Sequence, residues 1–485
     1  MPEQGSESRK DVEGRMTKNS TFALFFGNRG FFPPSLIAQA RADLPKILKG
    51  WGHEVLMLEE EATGYGAVET PEEGQIYADF LREHYGEFDG VILCLPNFGD
   101  ETGAVSALKD ADVPIFLQAY PDDLEKMAPE LRRDSFCGKI SISDVFVQYG
   151  VKFTSIKPHV VSPAGEPFKA NVDYFDRVCR VVKGLQGMVV GAIGARTTPF
   201  KTVRIDEVTL QKHGITVETL DLSGVIARVK ALSMEEEASK TKADQLRDYA
   251  AWDEVPQAAF ENIVKLGVIL DQIIEEYQLD AIAIRCWLEL QEQLGISPCV
   301  LLGELNHRGV AAACEVDIGS AVTMYALHLA TGKPPACLDW NNNYAHEEEK
   351  CILFHCGPIP RQLMKDKGRV EDHAILINAV GEGCSYGPHV GRIKSFPFTF
   401  GNLMTDSGKL RFYLGEGKFT EDTIPQDFFG CAGVAEIDRL PDVLMHVVHQ
   451  GFRHHVNIAP GHVLEPLREA FEYYLDFEVS LPQRG

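Results

Sequence analysis

The chain of 485 residues, 45% hydrophobic and 24% charged, is too long for a single core and long enough for two or three domains of ordinary globular composition. Its net charge of −24 opposes binding to nucleic acid or to an anionic membrane surface, since phosphate contacts need clustered Lys and Arg, but leaves room for a small anionic substrate in a locally basic pocket. No run reaches ~18 uninterrupted apolar residues, so no membrane span is expected.

Residues 1–20 lack an apolar signal region and read as a disordered polar tail. Eleven cysteines without a CxxC pair fit a reducing compartment, where they serve mostly as small core residues, and a cytoplasmic protein is expected. TFALFFG at 21–27 is a buried-strand signal that runs into a glycine-rich loop holding Arg29. Helical spacing over 35–49 contains Pro45, a potential kink. A strand at 53–58, a helix at 77–85, a strand at 90–95, a polar loop at 96–101 and a strand at 113–117 complete a first α/β unit over 21–155. The glycines near Gly30 do not form GxGxxG, so no dinucleotide fingerprint is present.

A second α/β unit is expected over 156–345. Strands are predicted at 187–193, 215–220 and 281–284, with a loop at 194–200, a solvated helix or linker at 235–248 and an amphipathic helix at 257–277. The last of these strands ends in Arg285-Cys286-Trp287, where the Arg reads equally as a hydroxyl or anion contact and as a cation packed on the indole. From Arg369 the pattern changes to short β-like segments, 374–380, 391–400, 409–415 and 434–438, as in a small antiparallel barrel. Residues 346–485 therefore form a β-rich third domain, closed by Leu467, Phe471, Tyr474 and Leu475 at helical spacing. The fold class is α/β: two doubly wound, Rossmann-like parallel-sheet domains followed by a domain with an antiparallel β-barrel.

The chemistry concentrates in 311–343, AAACEVDIGSAVTMYALHLATGKPPACLDWNNN. Ile318, Ala321, Val322, Tyr325, Ala326 and Leu329 recur at helical spacing, Asp317 is an N-cap candidate, and Gly332 with Pro334 and Pro335 is a stop. Ala336-Cys337-Leu338 then resembles the end of a strand. A helix packed antiparallel to that strand would bring Glu315 and Asp339 to one edge of an open sheet, the rim where such sheets place ligands. Two adjacent carboxylates raise each other's pKa unless a cation lies between them. Oxygen ligands with one imidazole suit Mg or Mn, and the late pair His454-His455 offers that imidazole. Separate solvated caps and a surface His pair would give the same spacing. His346 and His355 are the other nearby histidines, and Cys314, beside Glu315, reads as a redox-sensitive thiol or a packed one. Asn341, Asn342 and Asn343 also serve as turn formers.

ACEVDIGSAVT, LDWNNN with its Asp 24 residues after the Glu, and the terminal HHV resemble the carboxy-terminal half of the L-fucose and L-arabinose isomerase superfamily, closest to its fucose-isomerase branch. The GNRGFFP loop at 27–33 resembles that family's early Arg loop. The resemblance implies a metal-dependent aldose–ketose isomerase that acts through an enediol on a free sugar. It implies Glu315 and Asp339 as catalytic acids and, with His455, as ligands of manganese, or of magnesium or cobalt. The His pair fits the family's late His in either register. It further implies Arg29, Arg285 and Asn341 as substrate contacts, His355 as an alternative ligand, and a homo-oligomer in which Arg29 reaches a neighbour's sugar. A fucose- or arabinose-like sugar, or another deoxy or sulfonated one, is the expected substrate, and Arg285 with Arg196 would favour an anionic tail. A sugar-binding or regulatory protein of the same fold is the alternative, although a binding module has no need of a matched acid pair. A metal-dependent hydrolase is a third reading.

Overall fold

The computed structural model describes residues 18–484, so the expected tail lies, up to residue 17, outside the described residues. At its border the chain is already anchored, with the buried Ser20 N–H donating to Asp176 at 2.9 Å. Two units divide the rest: Lys18–Lys183 with Tyr473–Leu475, and Gly184–Glu472 with Asp476–Gly485.

In the first unit, strands β1 (Phe22–Phe26), β2 (Val55–Met57), β3 (Gly90–Leu95) and β4 (Ile115–Ala119) form a parallel sheet in the order β2-β1-β3-β4. β1 and β3 are continuous apolar runs because both faces of the sheet are covered. The helix Pro34–Gly50 continues through Pro45, and its stripe of Ile37, Ala40, Leu44 and Leu48 packs on the sheet. That packing offsets the helix penalty of an internal proline, about 3 kcal/mol. The chain order reverses between β1 and β3, and the loop carrying Arg29 leaves β1 at this switch point.

The second unit opens with another four-stranded parallel sheet: β5 (Val189–Ile193), β6 (Thr216–Leu220), β7 (Ala281–Ile284) and β8 (Ala311–Ala313), ordered β6-β5-β7-β8. The amphipathic helix Gln257–Glu276 buries Phe260, Ile263, Ile269 and Ile273 in the core of this layer. Then come β9 (Ala336–Tyr344), β10 (Glu347–His355), β11 (Arg369–Val370), β12 (His389–Arg392), β13 (Phe396–Asp406), β14 (Lys409–Phe419), β15 (Cys431–Glu436), β16 (His455–Pro460) and β17 (Glu478–Ser480). β15, β10, β9, β16, β13 and β14 pair antiparallel in that order, and β14 pairs back onto β15, closing a six-stranded barrel. Leu338, Leu353, Phe398, Phe400, Tyr413 and Val456 fill its core. The two parallel sheets and the barrel are the fold class expected from the sequence.

Three local expectations are corrected. The strand at 336–338 does not stop at Asp339. It runs on through the Asn residues to Tyr344, because β10 pairs along this outer half while β16 pairs the inner half from Ala336 to Asp339, and its exposed outer end tolerates polar side chains. Asp339 is therefore a barrel residue and not part of a parallel-sheet rim. Residues 374–380 form no strand. The Asp372 carboxylate accepts from Gly383 N–H at 2.6 Å and Ser385 N–H at 3.0 Å, which folds this stretch into a pinned loop with a short helix, Ile377–Val380.

Candidate metal and acid–base site

β8 ends at Ala313, and the chain then turns sharply through Glu315 and Val316, both left-handed, with φ of 61° and 58°. A β-branched residue adopts this conformation rarely, at about 1–3 kcal/mol for each strained residue. The turn is held by Val316 N–H to Ile284 O at 3.2 Å and Asp317 N–H to Cys314 O at 2.9 Å. It projects Glu315 from the carboxyl end of the sheet and starts the helix Ile318–Thr331, which Asp317 caps by accepting from Ser320 N–H at 3.0 Å.

Asp339 and His455 are direct cross-strand partners on β9 and β16. His455 Nε2 lies 3.6 Å from Asp339 Oδ1 and 3.8 Å from Glu315 Oε2. His454 Nε2 lies 3.7 Å from each of the same two oxygens. The structure thus brings Glu315, Asp339 and His455 near one another and places His454, the other register of the late His pair, beside the same two acids. Glu315 Oε2, Asp339 Oδ1 and His455 Nε2 are buried without a hydrogen-bond partner. Orphaned buried polar atoms are costly, about 1–3 kcal/mol each and more when charged, and two acid oxygens that both face the His455 ring nitrogen fit a hard divalent cation. Of these four residues, Glu315, His454 and His455 offer ligand atoms that all lie within 4.8 Å of one another.

Behind the imidazole stands a support the sequence reading assigned only to capping. Asp317 Oδ2 accepts from His455 Nδ1 at 2.8 Å, which leaves Nε2 facing the acids, the carboxylate–histidine arrangement that orients metal ligands. Arg453, fully buried, places Nε 3.3 Å from Asp317 Oδ1 and donates Nη2 to Arg204 O at 2.6 Å and Nη1 to Leu403 O. Its position beside the His pair is the one sequence signal that could have marked it. Phe200 stacks on His454 and meets Trp287 edge-on at 5.1 Å, giving the site an aromatic wall.

Burial pushes the Glu315 carboxyl up to about 7, opposed by His455 and reinforced by Asp339. Burial likewise pushes Asp339 to about 7 against the pull of His455. Burial would raise Asp317 too, but Arg453 and then His455 hold it far below the carboxylate range. His455 is raised well above the ordinary imidazole value: burial opposes its charge, but Cys337, Asp317 and Glu315 favour it. His454, desolvated and beside His455, falls to about 4.

The remaining candidates lie apart from this cluster or have partners of their own. Arg285 is tied to Glu289 and donates Nη1 to Ala195 O at 3.0 Å; it lines a cavity of about 830 Å³ at the carboxyl ends of β5, β6 and β7. Trp287 packs on Phe200. Arg196 bonds the Thr197 and Thr198 carbonyls at 3.0 and 3.2 Å. Asn341 sits at a β-bulge in β9, exposed, its amide bonded to Asn342; with His346 it lines a groove whose walls include neither Glu315 nor His455. His355 faces Cys314 Sγ at 2.9 Å through Nε2. Arg29, in the first unit, lies over the Phe98 ring at 4.3 Å, donates Nε to Gly99 O at 3.0 Å and pairs with Glu101.

A six-stranded barrel joined to a parallel α/β layer within the second unit, with two acids and a pair of late histidines meeting where they join, is the frame of an α/β enzyme with a candidate metal and acid–base site. Comparison with known proteins then specifies the class. Residues 23–186 match the family model for the fucose/sulfoquinovose isomerase N-terminal domain, and residues 353–482 match that for the L-fucose isomerase C-terminal domain. The sulfoquinovose isomerase of Alkalicoccus urumqiensis is 26% identical over 400 residues, covering 80% of this chain and 85% of that protein. The sulfoquinovose isomerase of Priestia aryabhattai is 23% identical over 408 residues, covering 83% and 87%. This chain belongs to the fucose isomerase-like family. It is an enzyme of the sugar isomerase class, an intramolecular oxidoreductase.

Proposed function

We propose that this enzyme interconverts an aldose and its ketose through an enediol, using manganese, or magnesium or cobalt in its place, held by Glu315, Asp339 and His455. The observation that carries this reading is that two unpartnered buried acid oxygens, Glu315 Oε2 and Asp339 Oδ1, both face the unpartnered His455 Nε2. A divalent cation bound there supplies charge neutralisation for the two acids and polarisation of the sugar carbonyl. Glu315 takes the proton from the carbon next to the carbonyl while Asp339 moves the hydroxyl proton, and the reverse direction exchanges their roles. A carboxyl group that titrates near neutrality is suited to both halves of that exchange. Asp317 keeps His455 in one tautomer and orientation, and Phe200 and Trp287 keep water from one side of the acids. Arg29 contacts the sugar of a neighbouring subunit in a homo-oligomer, and Arg285, at the carboxyl ends of β5, β6 and β7, is the sugar contact within the subunit, whereas Asn341 lies in a separate groove.

The names of the relatives support a sulfonated 6-deoxy hexose as substrate. Eleven free thiols, ten of them buried or half-buried, support a reducing, cytoplasmic setting. Manganese-loaded enzyme should convert sulfoquinovose to its ketose, followed by carbon NMR, faster than it converts L-fucose or L-arabinose. Chelation should stop the conversion. Equal turnover of the uncharged sugars would remove the sulfonated substrate from this reading, and turnover that survives chelation would remove the metal.

A further inference from the structure

Apart from the acid pair, the second unit gathers a set of soft ligands from three distant segments. Cys299 is the first residue of the helix Cys299–His307, Cys356 directly follows β10, and His373 lies in the loop pinned by Asp372. Their ligand atoms all fall within 4.8 Å of one another, and Cys299 Sγ is 3.3 Å from Cys356 Sγ. We propose that Cys299, Cys356 and His373 form a second metal site, one that takes a soft, zinc-like d10 ion.

Packed thiols alone are unremarkable, since free cysteine is a common small core residue. His373 is what core packing does not explain. It is 1% exposed, and both of its ring nitrogens are buried without a partner. A neutral imidazole carries one donor and one acceptor, and leaving both unmet in the interior is costly. A disulfide between the two cysteines would leave both nitrogens still unmet, whereas a metal ion uses one directly.

The framework is also rigid. Ser297 N–H donates to Tyr386 O at 2.8 Å and Val300 N–H to Gly387 O at 2.9 Å, so the His373 loop is fastened to the start of the Cys299 helix. Two thiolates on a tetrahedral ion at about 2.3 Å stand roughly 3.7 Å apart, a few tenths of an ångström from the present spacing. Binding releases the two thiol protons to solvent and involves no redox change. The neighbouring thiol Cys314 faces His355 Nε2 at 2.9 Å, and His355 Nδ1 accepts from Cys356 N–H at 2.8 Å and lies 3.2 Å from Cys356 Sγ.

This site stands independently of the isomerase reading. Its consequence is specificity: the oxygen-rich acid site suits a hard ion and the thiolate site a soft one, so the two occupants do not compete. Occupancy also fixes His373, which packs edge-on to Trp287 at 6.4 Å in the wall of the acid site.

The test is titration of the reduced, chelator-stripped full chain with cobalt(II), reading the near-ultraviolet thiolate-to-cobalt charge-transfer band. One equivalent should give the band, zinc should bleach it, and Glu315→Gln and Cys314→Ser should both keep it. The double variant Cys299→Ser, Cys356→Ser should lose it, and His373→Ala should weaken cobalt binding at least ~10-fold. A folded wild type with no band overturns the proposal, as does a band that survives the double variant or disappears in Cys314→Ser. A Cys299–Cys356 disulfide found by mass spectrometry, with cobalt silent after reduction, also overturns it. If the double variant is insoluble, the cadmium-113 chemical shift of the wild type decides, since an oxygen-ligated position contradicts the thiolate site.

Discussion

Burial lifts the Glu315 and Asp339 carboxyl groups to about 7, so in the metal-free protein they hold protons to a higher pH than ordinary carboxylates do. A cation entering between them must displace those protons, and one from His455, whose charged form is also favoured. Raised pKa values on metal ligands mean that apparent affinity climbs with pH. Manganese binding, followed by calorimetry in buffers of different ionisation enthalpy, should tighten steadily from about pH 6 to about pH 8 with net proton release. Affinity that is flat or falls with pH would contradict the site. Asp317→Asn keeps an oxygen for Ser320 N–H but removes the charge opposite the buried Arg453. It should cost about 3–5 kcal/mol in denaturant unfolding. Manganese affinity should fall about 10–100-fold through the loosened His455. Of these residues, the nearness of Glu315, Asp339 and His455 was expected from spacing, acid–base chemistry and resemblance. The second role of Asp317 was not, because its partner His455 lies 138 residues away and only the fold makes them neighbours. His454 was equally hidden, since the two registers of the His pair are indistinguishable until β16 fixes which ring turns inward.

The helix Ile318–Thr331 joins the parallel sheet to the barrel, and it starts in a confined place. A Cβ on Gly319 would sit 2.5 Å from Arg453 Nη1 and 2.8 Å from the Leu403 carbonyl oxygen. Alanine favours a helix by about 1 kcal/mol over glycine. Arg453 cannot retreat, however, because Asp317, Leu403 and Arg204 all hold it. Overpacking should win, so Gly319→Ala is expected to lower the unfolding midpoint by about 1–3 kcal/mol in stability and to reduce turnover through a displaced Asp317. A raised midpoint would mean that helix propensity governs here. This helix, with its Asp cap and its Gly332 stop, was readable from the sequence because both signals are local. β9 was not, since its outer half is the polar run Trp340–Asn343, and pairing with β10 overrides composition there. The loop at 374–380 was misread for the opposite reason: its apolar run looks like a strand, while one carboxylate, Asp372, folds it back.

Over the whole molecule, the alternation of strands and helices and the later β-rich pattern were enough to give two parallel sheets and a barrel. The Cys299, Cys356 and His373 set was invisible, because its members come from three segments with no metal-ligand spacing in sequence. If Arg29 serves a neighbour's site, mixing inactive Glu315→Gln with inactive Arg29→Ala subunits should restore part of the activity, and mass in solution should exceed the 53.8 kDa of one chain. Mixtures that stay inactive would confine Arg29 to its own subunit. The central claim, that Glu315 and Asp339 move a proton between adjacent sugar carbons, is tested most directly by solvent deuterium exchange at C1 and C2. The assay would use a panel of aldoses and ketoses with wild type and Glu315→Gln, with manganese and then with chelator. Exchange into one sugar pair that requires manganese and disappears in Glu315→Gln is expected. Exchange that persists in Glu315→Gln, or isomerisation without any incorporation of deuterium, would contradict the acid-pair mechanism.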